Sequence, residues 1–283
     1  LARPTVAVVN NAQREHQEFM ASVEATALEN GAVIDALPAD GVAVFPADDV
    51  CAPIWRRKAG TRRVLDFARS AEATLTAEAS ATAAGSHLSI ASPAGLIEVD
   101  LPAAGQHNVH NALAATAAAI AVGIAPAHIA AGLAAFRPVA GRGVRHTLAS
   151  GALLVDDTYN ANPDSVRAAI DLLASLPAPR TLVLGDMGEV GDQGPAFHRE
   201  VGAYAAERGI DALLALGAAT PDSVAAFGGR GRHHASIEAL IEATQGAAAA
   251  GGTLLVKGSR FMRMERVVQA LTRPSSAAAS AQN

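Results

Sequence analysis

The feature that most constrains the fold is the alternation of short apolar runs with longer amphipathic runs in the second half of the 283-residue chain. Parallel strands need a long crossover connection, so this alternation predicts a parallel sheet with helices on both faces. A Rossmann-like, doubly wound α/β domain is therefore expected. Its predicted strands are Leu153–Asp156, Thr181–Gly185, Ala212–Leu216 and Thr253–Val256, and its predicted helices are Ser165–Ala174, Pro195–Glu207, Ile237–Gln245 and Met262–Leu271.

The first half of the chain predicts a separate α/β domain with a mixed sheet. Three buried strands alternate with two helical segments, and three short alternating runs separated by turn residues then indicate a small antiparallel patch. Two further helices end this half. The predicted strands are Val6–Val9, Gly41–Phe45, Arg63–Phe67, Thr74–Ala77, His87–Ala91 and Ile97–Leu101, and the predicted helices are Glu18–Leu37, Asp48–Lys58, Asn108–Val122 and Pro126–Phe136.

A glycine-containing segment, Pro138–Gly143, is the best candidate linker between the two halves. We expect a first domain over residues 1–140 and a second over residues 141–273. The small-residue stretch 274–283 is expected to be a disordered tail.

Composition excludes several classes of protein. Half of the residues are hydrophobic and 17% are charged, which is typical of a folded chain and not of a disordered one. The net charge of −5 gives no basic surface for nucleic acid. No apolar run reaches the roughly 18 residues that a membrane-spanning helix needs, so membrane insertion is not expected. The single cysteine, Cys51, cannot form an internal disulfide, which favours a reducing cytoplasm.

Two polar clusters stand out in the first half. The run Asn11–Glu18 follows a buried strand and contains His16 between two glutamates, which suits a metal or phosphate site, although an ordinary polar loop is the simpler interpretation. Asn108 and Asn111 lie three residues apart at a helix start and share a face, so their amides offer a donor and an acceptor to an adenine edge. The alternative is that Asn108 is a helix N-cap beside His107.

A third cluster, Asp156–Ser165, follows the first strand of the second half. We expect Asp157 to accept hydrogen bonds from ribose hydroxyls, and Asn160 and Asn162 to line the same crevice. Asn162 before a proline is also a helix-start signal that needs no ligand.

Two more clusters follow later strands. The glycine-rich run Leu184–Gly191 lets backbone amides approach a ligand, but turns between strands and helices also need glycine for structural reasons. Lys257, one of only two lysines in the chain, lies in a Lys-Gly-Ser-Arg loop. Its compact charge suits a carboxylate or phosphate, and a solvated basic turn is the alternative.

Taken in order, these clusters resemble the Mur ligase family of ATP-dependent amide ligases in peptidoglycan synthesis. The helix start Gly-x-His-Asn-x-x-Asn-Ala at 105–112 is shared across that family. The runs at 156–163, 184–191 and 256–265 resemble the branch that adds D-alanyl-D-alanine: they read Asp-Asp-Thr-Tyr-Asn-Ala-Asn-Pro, Leu-Gly-Asp-Met-Gly-Glu-Val-Gly and Val-Lys-Gly-Ser-Arg-x-x-x-Met-Glu. The likeness extends from about Thr5 to Leu271.

The resemblance implies an ATP-dependent, ADP-forming ligase. ATP would phosphorylate the terminal carboxylate of UDP-N-acetylmuramoyl-tripeptide, and the amine of D-alanyl-D-alanine would attack the acyl phosphate to form an amide. The likeness also implies Mg²⁺ and a cytoplasmic monomer. It makes the first domain the C-terminal part of a P-loop-type central ATPase domain with a mixed sheet.

The same resemblance implies a role for each matching polar residue. His16 would bind the metal and take part in catalysis. Arg142 would contact the ATP phosphates, while His107, Asn108, Asn111 and Asp157 would hold the rest of the nucleotide. The residues that would face the dipeptide or the nucleotide from the second domain are Tyr159, Asn160, Asn162, Lys257, Ser259 and Arg260. Arg142 and Lys257 would also take part in catalysis.

One departure from the family pattern is the missing phosphate-binding loop, Gly-x-x-x-x-Gly-Lys-[Ser/Thr]. Neither lysine qualifies, because Lys58 follows an arginine and Lys257 follows a valine. We therefore expect a fragment without the UDP-binding domain and the first half of the ATPase domain, inactive by itself.

A second departure concerns the carbamylated lysine that many members of the family carry on the helix after the His16 loop. The matching residues, Thr26–Gly31, contain no lysine. Either Glu29 or Asn30 replaces it, or the second metal ion is held differently.

Three alternatives remain open. A natively truncated, non-catalytic binding module would also lack the phosphate-binding loop. A folylpolyglutamate synthase would leave the Tyr-Asn-Ala-Asn and Lys-Gly-Ser-Arg loops unexplained. A dinucleotide-binding oxidoreductase is disfavoured because no Gly-x-Gly-x-x-Gly follows a predicted strand.

Overall fold

The computed structural model describes residues 3–14, 18–20, 22–82 and 85–273. The chain forms two compact units, Leu1–Pro138 and Val139–Asn283, called here the first and second unit. The division falls in the predicted linker, whereas the predicted tail lies outside the described residues. In the described part of the chain, no helix is both long and apolar enough to cross a membrane.

The first unit is built on a six-stranded sheet. Its strands are β1 (Val6–Val8), β2 (Val42–Pro46), β3 (Arg63–Ala68), β4 (Leu75–Ala81), β5 (Ser86–Ser92) and β6 (Gly95–Leu101), and its helices are α1 (Val23–Asn30), α2 (Ala32–Asp35), α3 (Ala52–Ala59), α4 (Gln106–Ala121) and α5 (Pro126–Ala134). The strands follow one another in chain order across the sheet. β1 to β4 run parallel, and β4, β5 and β6 pair antiparallel, which confirms the predicted mixed sheet.

Strand β2 shows how this sheet is buried on both faces. All of its residues are buried, and alternate side chains enter different hydrophobic clusters. Val44 packs in the cluster that contains Leu113 of α4, whereas Phe45 packs in the cluster around Trp55 of α3. The Trp55 indole N–H donates to the carbonyl oxygen of Ala27 at 2.9 Å, so this buried polar group is satisfied beneath α1.

The antiparallel part of the sheet leaves one face exposed. On that face, His87 of β5 lies opposite Asp100 of β6, with Glu98 two residues away on the same strand. The His87 Nδ1 is 2.7 Å from Asp100 Oδ1, and its Nε2 is 3.2 Å from Glu98 Oε2. The hydrogen bond to Asp100, aided by the charges of both carboxylates, raises the pKa of His87 above its ordinary value of 6.5.

This raised pKa predicts a pH dependence of stability. The stabilising contribution of the His87 ion pairs is fully present below pH 6.5 and is lost as the pH rises through the folded-state pKa. NMR titration of the histidine rings should place His87 above 6.5, and Asp100→Asn should lower its pKa toward that value. Asp40→Asn, which removes an exposed carboxylate elsewhere in the unit, is the control. A His87 pKa at or below 6.5 in the unaltered protein would contradict the pairing.

The second unit is built on another six-stranded sheet. Its strands are β7 (Val144–Thr147), β8 (Leu153–Asp157), β9 (Arg180–Gly185), β10 (Ala212–Leu216), β11 (Gly231–His234) and β12 (Thr253–Lys257), and its helices are α6 (Pro163–Ala174), α7 (Gly194–Glu207), α8 (Thr220–Phe227), α9 (Ile237–Ala249) and α10 (Glu265–Thr272). The strand order is β11-β10-β9-β12-β8-β7. All neighbours are parallel except β7, which pairs antiparallel with β8 at the edge.

Helices cover both faces of this second sheet. The buried residues of α9 and α10 share one cluster with alternate strand residues such as Leu154 and Val256. Those of α6 lie outside that cluster, and α6 packs against β9 and β12. The predicted doubly wound α/β architecture is confirmed.

The structure corrects two predicted helices of the first unit. The predicted helix Glu18–Leu37 is two helices, because the chain breaks at Gly31, where a Cβ atom would lie 2.9 Å from Trp55 and from Lys58. The predicted helix Asp48–Lys58 begins only at Ala52. The preceding turn is held by the Asp49 carboxylate, which accepts the Cys51 N–H at 2.7 Å.

The sequence does not predict β7, β11 or α8 of the second unit. Both strands lie at sheet edges and are only partly buried, so they carry little apolar alternation. Helix α8 is short and begins on a Thr-Pro pair that is equally typical of a turn.

Candidate functional site

Three neighbouring strands of the second unit, β9, β12 and β8, bring polar residues together at their carboxyl ends. Ligands of open α/β sheets bind at this edge. Among the described residues, the two non-glycine residues with positive φ are Glu189 (57°) and Arg263 (51°), and they lie in the segments that follow β9 and β12. Such backbone outliers cluster at binding and catalytic sites. This edge is therefore the candidate site of the second unit.

Lys257 ends β12 directly opposite Asp157 of β8. Its side chain is 5% exposed, and its Nζ donates to Asp157 Oδ2 at 2.7 Å and to the Asn160 carbonyl oxygen at 2.9 Å. A buried ammonium group needs such partners because its desolvation is costly. The carboxylate that Lys257 binds in the structure is thus the chain's own, and a contact with a ligand stays a prediction.

Ser259 joins the loops that follow all three strands. Its buried hydroxyl donates to the Ala161 carbonyl oxygen at 3.1 Å and accepts the Gly188 N–H, while its own N–H donates to the Asp186 carbonyl oxygen at 2.9 Å. The Ser259 hydroxyl therefore uses both its donor and one acceptor position on backbone groups. Ser259 holds the loops together, and its predicted substrate contact stays a prediction.

The loop after β9 is also held from two sides. The Asp186 carboxylate accepts three successive backbone N–H groups, those of residues 218–220, at 2.8 to 3.0 Å, at the positively polarised start of α8. The buried imidazole of His198 accepts the Met187 N–H at Nε2 (3.1 Å) and donates from Nδ1 to the Gly194 carbonyl oxygen (2.7 Å). Sequence reasoning assigned no role to either residue, although both belong to the glycine-rich motif or the helix after it.

The linker around Arg142 is bound to the end of β8. Gly141 N–H donates to the Asp156 carboxylate at 3.2 Å, Gly143 N–H donates to the Asp156 carbonyl oxygen at 2.8 Å, and Tyr159 N–H donates to the Gly141 carbonyl oxygen at 3.0 Å. The Arg142 guanidinium stacks on the Tyr159 ring, with 3.9 Å from Cζ to the ring centroid. Sequence reasoning missed Asp156. Adjacent residues of a strand point to opposite faces of the sheet. This alternation could have indicated that Asp156 and Asp157 have different roles.

The remaining predicted residues of this unit lie at the surface or at a helix start. Tyr159, Asn160 and Arg260 are exposed, and Arg260 forms an ion pair with Glu265 at 3.1 Å. Asn162 caps α6, since its Oδ1 accepts the Ser165 N–H at 2.7 Å in a reciprocal capping box. The helix-start interpretation of Asn162 is confirmed, and its contact with a ligand stays a prediction.

In the first unit, the predicted asparagine pair lies in the first turns of α4. Asn108 Nδ2 donates to the Ala104 carbonyl oxygen at 2.7 Å and lies 3.1 Å from His107 Nε2, while Asn111 Oδ1 accepts from Asn10 Nδ2 at 2.9 Å. Within the described residues, no partner is bound by Asn108 Oδ1 or by Asn111 Nδ2. The pair therefore leaves one acceptor and one donor for a ligand.

Two features of this helix start differ from the sequence analysis. The N-cap of α4 is Gly105, whose φ of 94° suits glycine, so the alternative of Asn108 as N-cap is wrong. Asn10, which the sequence analysis did not single out, anchors the helix, because its carbonyl oxygen lies 2.6 Å from His110 Nε2. The His110 ring in turn packs edge-on against Phe67, with centroids 5.0 Å apart.

The predicted metal ligand, His16, lies outside the described residues. Among the residues that the structure does describe, no group of three or more histidine, cysteine, aspartate or glutamate side chains is arranged to hold a metal ion. Asn30, a candidate replacement for the bridging lysine, donates from Nδ2 to the Asn11 carbonyl oxygen at 3.2 Å. The metal ligands stay a prediction.

These observations define a two-unit α/β protein with polar clusters at strand ends in one unit and at a helix start in the other, which are its candidate ligand sites. The family model of the Mur ligase middle domain matches residues 1–119. The model described as the Mur ligase, glutamate ligase domain matches residues 141–260. The chain belongs to the Mur ligase family, as the sequence motifs predicted.

Several relatives carry one enzyme name. The UDP-N-acetylmuramoyl-tripeptide–D-alanyl-D-alanine ligase of Escherichia coli (strain K12) is 39% identical, over 96% of this chain and 61% of the relative. The enzyme of the same name from Haemophilus influenzae is 34% identical, over 96% of this chain and 60% of the relative. A crystal structure of MurF from Acinetobacter baumannii matches with a TM-score of 0.89 at 28% identity, covering 95% of this chain and 60% of that one. The chain thus spans about three fifths of the length of these relatives.

Proposed function

We propose that the complete protein containing this chain is an ATP-dependent ligase that adds D-alanyl-D-alanine to UDP-N-acetylmuramoyl-tripeptide. The observation that carries the proposal is the set of three loops after β8, β9 and β12, which hold the motifs of the dipeptide-adding branch and are joined through Lys257 and Ser259. Relatives of that name match 96% of the chain. Because the chain spans only about three fifths of them, the activity is proposed for the complete protein.

The proposed reaction has two steps. A terminal carboxylate oxygen of the tripeptide attacks the γ-phosphorus of ATP, which forms an acyl phosphate and releases ADP. The amine of D-alanyl-D-alanine then attacks the acyl carbon, and the tetrahedral intermediate loses a proton and expels phosphate as the amide forms. Both steps move negative charge onto phosphoryl or carbonyl oxygens, so the protein contributes mainly by placing cations and N–H donors around them.

In this proposal the first unit holds the adenine. Asn108 Oδ1 would accept from the exocyclic amine at C6, and Asn111 Nδ2 would donate to the ring nitrogen N7, which is the pattern that an adenine edge presents. The exposed His107 would lie alongside. Guanine carries a carbonyl oxygen in place of that amine and would set two acceptors against each other, so the pair favours ATP over GTP.

The second unit would hold the other parts of the nucleotide and the dipeptide. Asp157 has its Oδ2 on Lys257 and would offer Oδ1 to the ribose, and Arg142 would contact the phosphates. The carboxylate of the dipeptide would meet the exposed guanidinium of Arg260, whose ion pair with Glu265 occupies one of its terminal nitrogens, and Asn160 would contact the same dipeptide. The side chains of Asn162, Lys257 and Ser259 are engaged within the loops, and they would keep these exposed groups in place.

The proposal includes Mg²⁺, which would offset charge on the phosphoryl oxygens when bound. His16 is the residue that the family likeness implies for it. The protein is proposed to act as a monomer, as the family likeness implies. Cytoplasmic ATP and nucleotide-linked precursors make the cytoplasm the proposed location.

The complete gene product containing this sequence is expected to release ADP only when UDP-N-acetylmuramoyl-tripeptide and D-alanyl-D-alanine are both present. A coupled assay of ADP release, with mass spectrometry of the ligated product, measures this. Omitting either substrate, or replacing the dipeptide with free glutamate, is the control and should reduce ADP release to background.

Two results would contradict the proposal. ADP release with glutamate and a folate acceptor would indicate a folylpolyglutamate synthase. Binding of an ATP analogue without ADP release in the presence of all substrates would indicate a binding module.

A further inference from the structure

We infer that Tyr159 and Asp156 are positioning residues that hold Arg142 on the second unit in one orientation, ready to meet the phosphates. The inference rests on the proposed function for the role of Arg142. It also gives Tyr159 a different task from the dipeptide contact that the sequence predicts.

The backbone on both sides of Arg142 is bound to one strand end. The buried Asp156 accepts the Gly141 N–H with its side chain and the Gly143 N–H with its carbonyl oxygen, and the Tyr159 N–H returns to the Gly141 carbonyl oxygen. Gly141 and Gly143 have φ values of 77° and 75°, a region that favours glycine. At Gly141 a Cβ atom would also lie 3.0 Å from the Tyr159 nitrogen. The segment that carries Arg142 is therefore a defined turn and not a loose linker.

The guanidinium of Arg142 is held only by the stacking of its planar face on the Tyr159 ring. Its Cζ lies 3.9 Å from the Tyr159 ring centroid, well within the range of a cation–π interaction. Stacking leaves the N–H groups free, because they point outward in the plane of the guanidinium. The backbone N–H of Arg142 donates to the Val139 carbonyl oxygen at 3.0 Å. Within the described residues, its guanidinium has no hydrogen-bond or ion-pair partner. An exposed guanidinium held in this way keeps its donors for an anion.

A second arginine–tyrosine stack in the same unit shows the contrasting case. The chain has only two tyrosines, and Tyr204 stacks on Arg167 at the same distance of 3.9 Å. Arg167, however, also forms an ion pair with Glu200 at 3.2 Å. That arginine already has an anionic partner, whereas the residues that the structure describes provide none for Arg142. The comparison supports a ligand as the partner of Arg142.

The stack gives a physical advantage for binding phosphate. An exposed arginine loses side-chain rotamer freedom when it binds an anion, and this loss opposes binding. Tyr159 restricts the rotamers beforehand, so less freedom is lost when the phosphoryl charge develops. The ring of Tyr159 supplies this effect, and its hydroxyl group does not.

Kinetics of the complete gene product test the assignment. Tyr159→Leu should lower kcat about fivefold to tenfold with little change in the KM for D-alanyl-D-alanine, and Tyr159→Phe, which keeps the ring, should recover most of that rate. Arg142→Ala should lower kcat about a hundredfold, and adding Tyr159→Leu should then cost nothing more. Tyr204→Leu is the matched control and should leave kcat unchanged.

Some kinetic results would overturn the inference. One is a loss of kcat from Tyr159→Leu that is equally large in the presence and in the absence of the Arg142 side chain. Another is a raised KM for the dipeptide with unchanged kcat. Either result means that Tyr159 contacts the substrate directly. Failure of Tyr159→Phe to recover the rate would also overturn it.

NMR of the complete gene product separates this inference from the proposed function. The δ protons of Arg142 should show an upfield ring-current shift that disappears in Tyr159→Leu and persists in Tyr159→Phe. In Asp156→Asn, the amides of Gly141 and Gly143 should exchange faster with solvent. Absence of the ring-current shift overturns the inference even if the complete protein is an active ligase. If the upfield ring-current shift is present but the protein has no ligase activity, the proposed function is rejected instead.

Discussion

Lys257→Met is expected to destabilise the second unit by about 3 kcal/mol, the lower end of the usual cost of breaking a buried ion pair. The substitution leaves the Asp157 carboxylate and the Asn160 carbonyl oxygen without their shared donor. Asp157 is 26% exposed, so water compensates part of the loss and the cost stays at that lower end. Hydrogen exchange of the β8 and β12 amides reports the free energy of unfolding of this unit.

Lys58, the other lysine of the chain, provides the matched control. It also pairs with an aspartate, but its side chain and that of Asp35 are 21% and 53% exposed. Lys58→Met should therefore cost less than about 1 kcal/mol. The double variant Lys257→Met with Asp157→Leu removes both charges and should recover most of the lost stability. Similar effects of the two single lysine replacements would contradict the buried pair.

Gly202→Ala is expected to destabilise the second unit by about 2–3 kcal/mol. Gly202 lies in α7, where a Cβ atom would be 2.1 Å from the Ser223 carbonyl oxygen of α8. Because that neighbour is backbone, the two helices must move apart. Such a shift would also disturb the Ser223 hydroxyl, which donates to the His198 carbonyl oxygen at 2.8 Å. Urea unfolding followed by circular dichroism measures the change.

Gly246 in α9 is the matched control for this substitution. A Cβ atom there meets nothing within 4 Å. Gly246→Ala should therefore stabilise the protein by roughly 0.5–1 kcal/mol, because alanine has the higher helix propensity. A neutral or stabilising Gly202→Ala would show that α7 and α8 are farther apart than the structure places them.

The parts of the fold that could be predicted are those with a buried periodic pattern. Strand β12 is buried at every residue and reads as a continuous apolar run up to Lys257, so the sequence predicts it. Strand β11 reads Gly-Arg-His-His and has no such pattern. Its strand conformation comes from pairing with β10, whose residues lie outside the segment, so the pattern of β11 itself does not reveal it.

The candidate site could be predicted as a set of polar clusters but not as a network. The sequence predicts that Asp157 and Lys257 each lie at a strand end, and not that they bind one another. It likewise does not show that Asn10 donates to the Asn111 Oδ1, which leaves the Nδ2 of that amide for a ligand. These are contacts between residues about 100 positions apart, and local patterns carry no information on them.

The sequence by itself determined the family, the α/β class and the strand ends at which polar residues gather, because motif order and apolar periodicity are local properties of the chain. Only the tertiary structure decided which polar groups meet. The last strand, β12, enters the sheet between β9 and β8, and this places Lys257 against Asp157 and Ser259 against Gly188. Strand order and register arise from the packing of the whole unit, and they bring three separate motifs together in one candidate site.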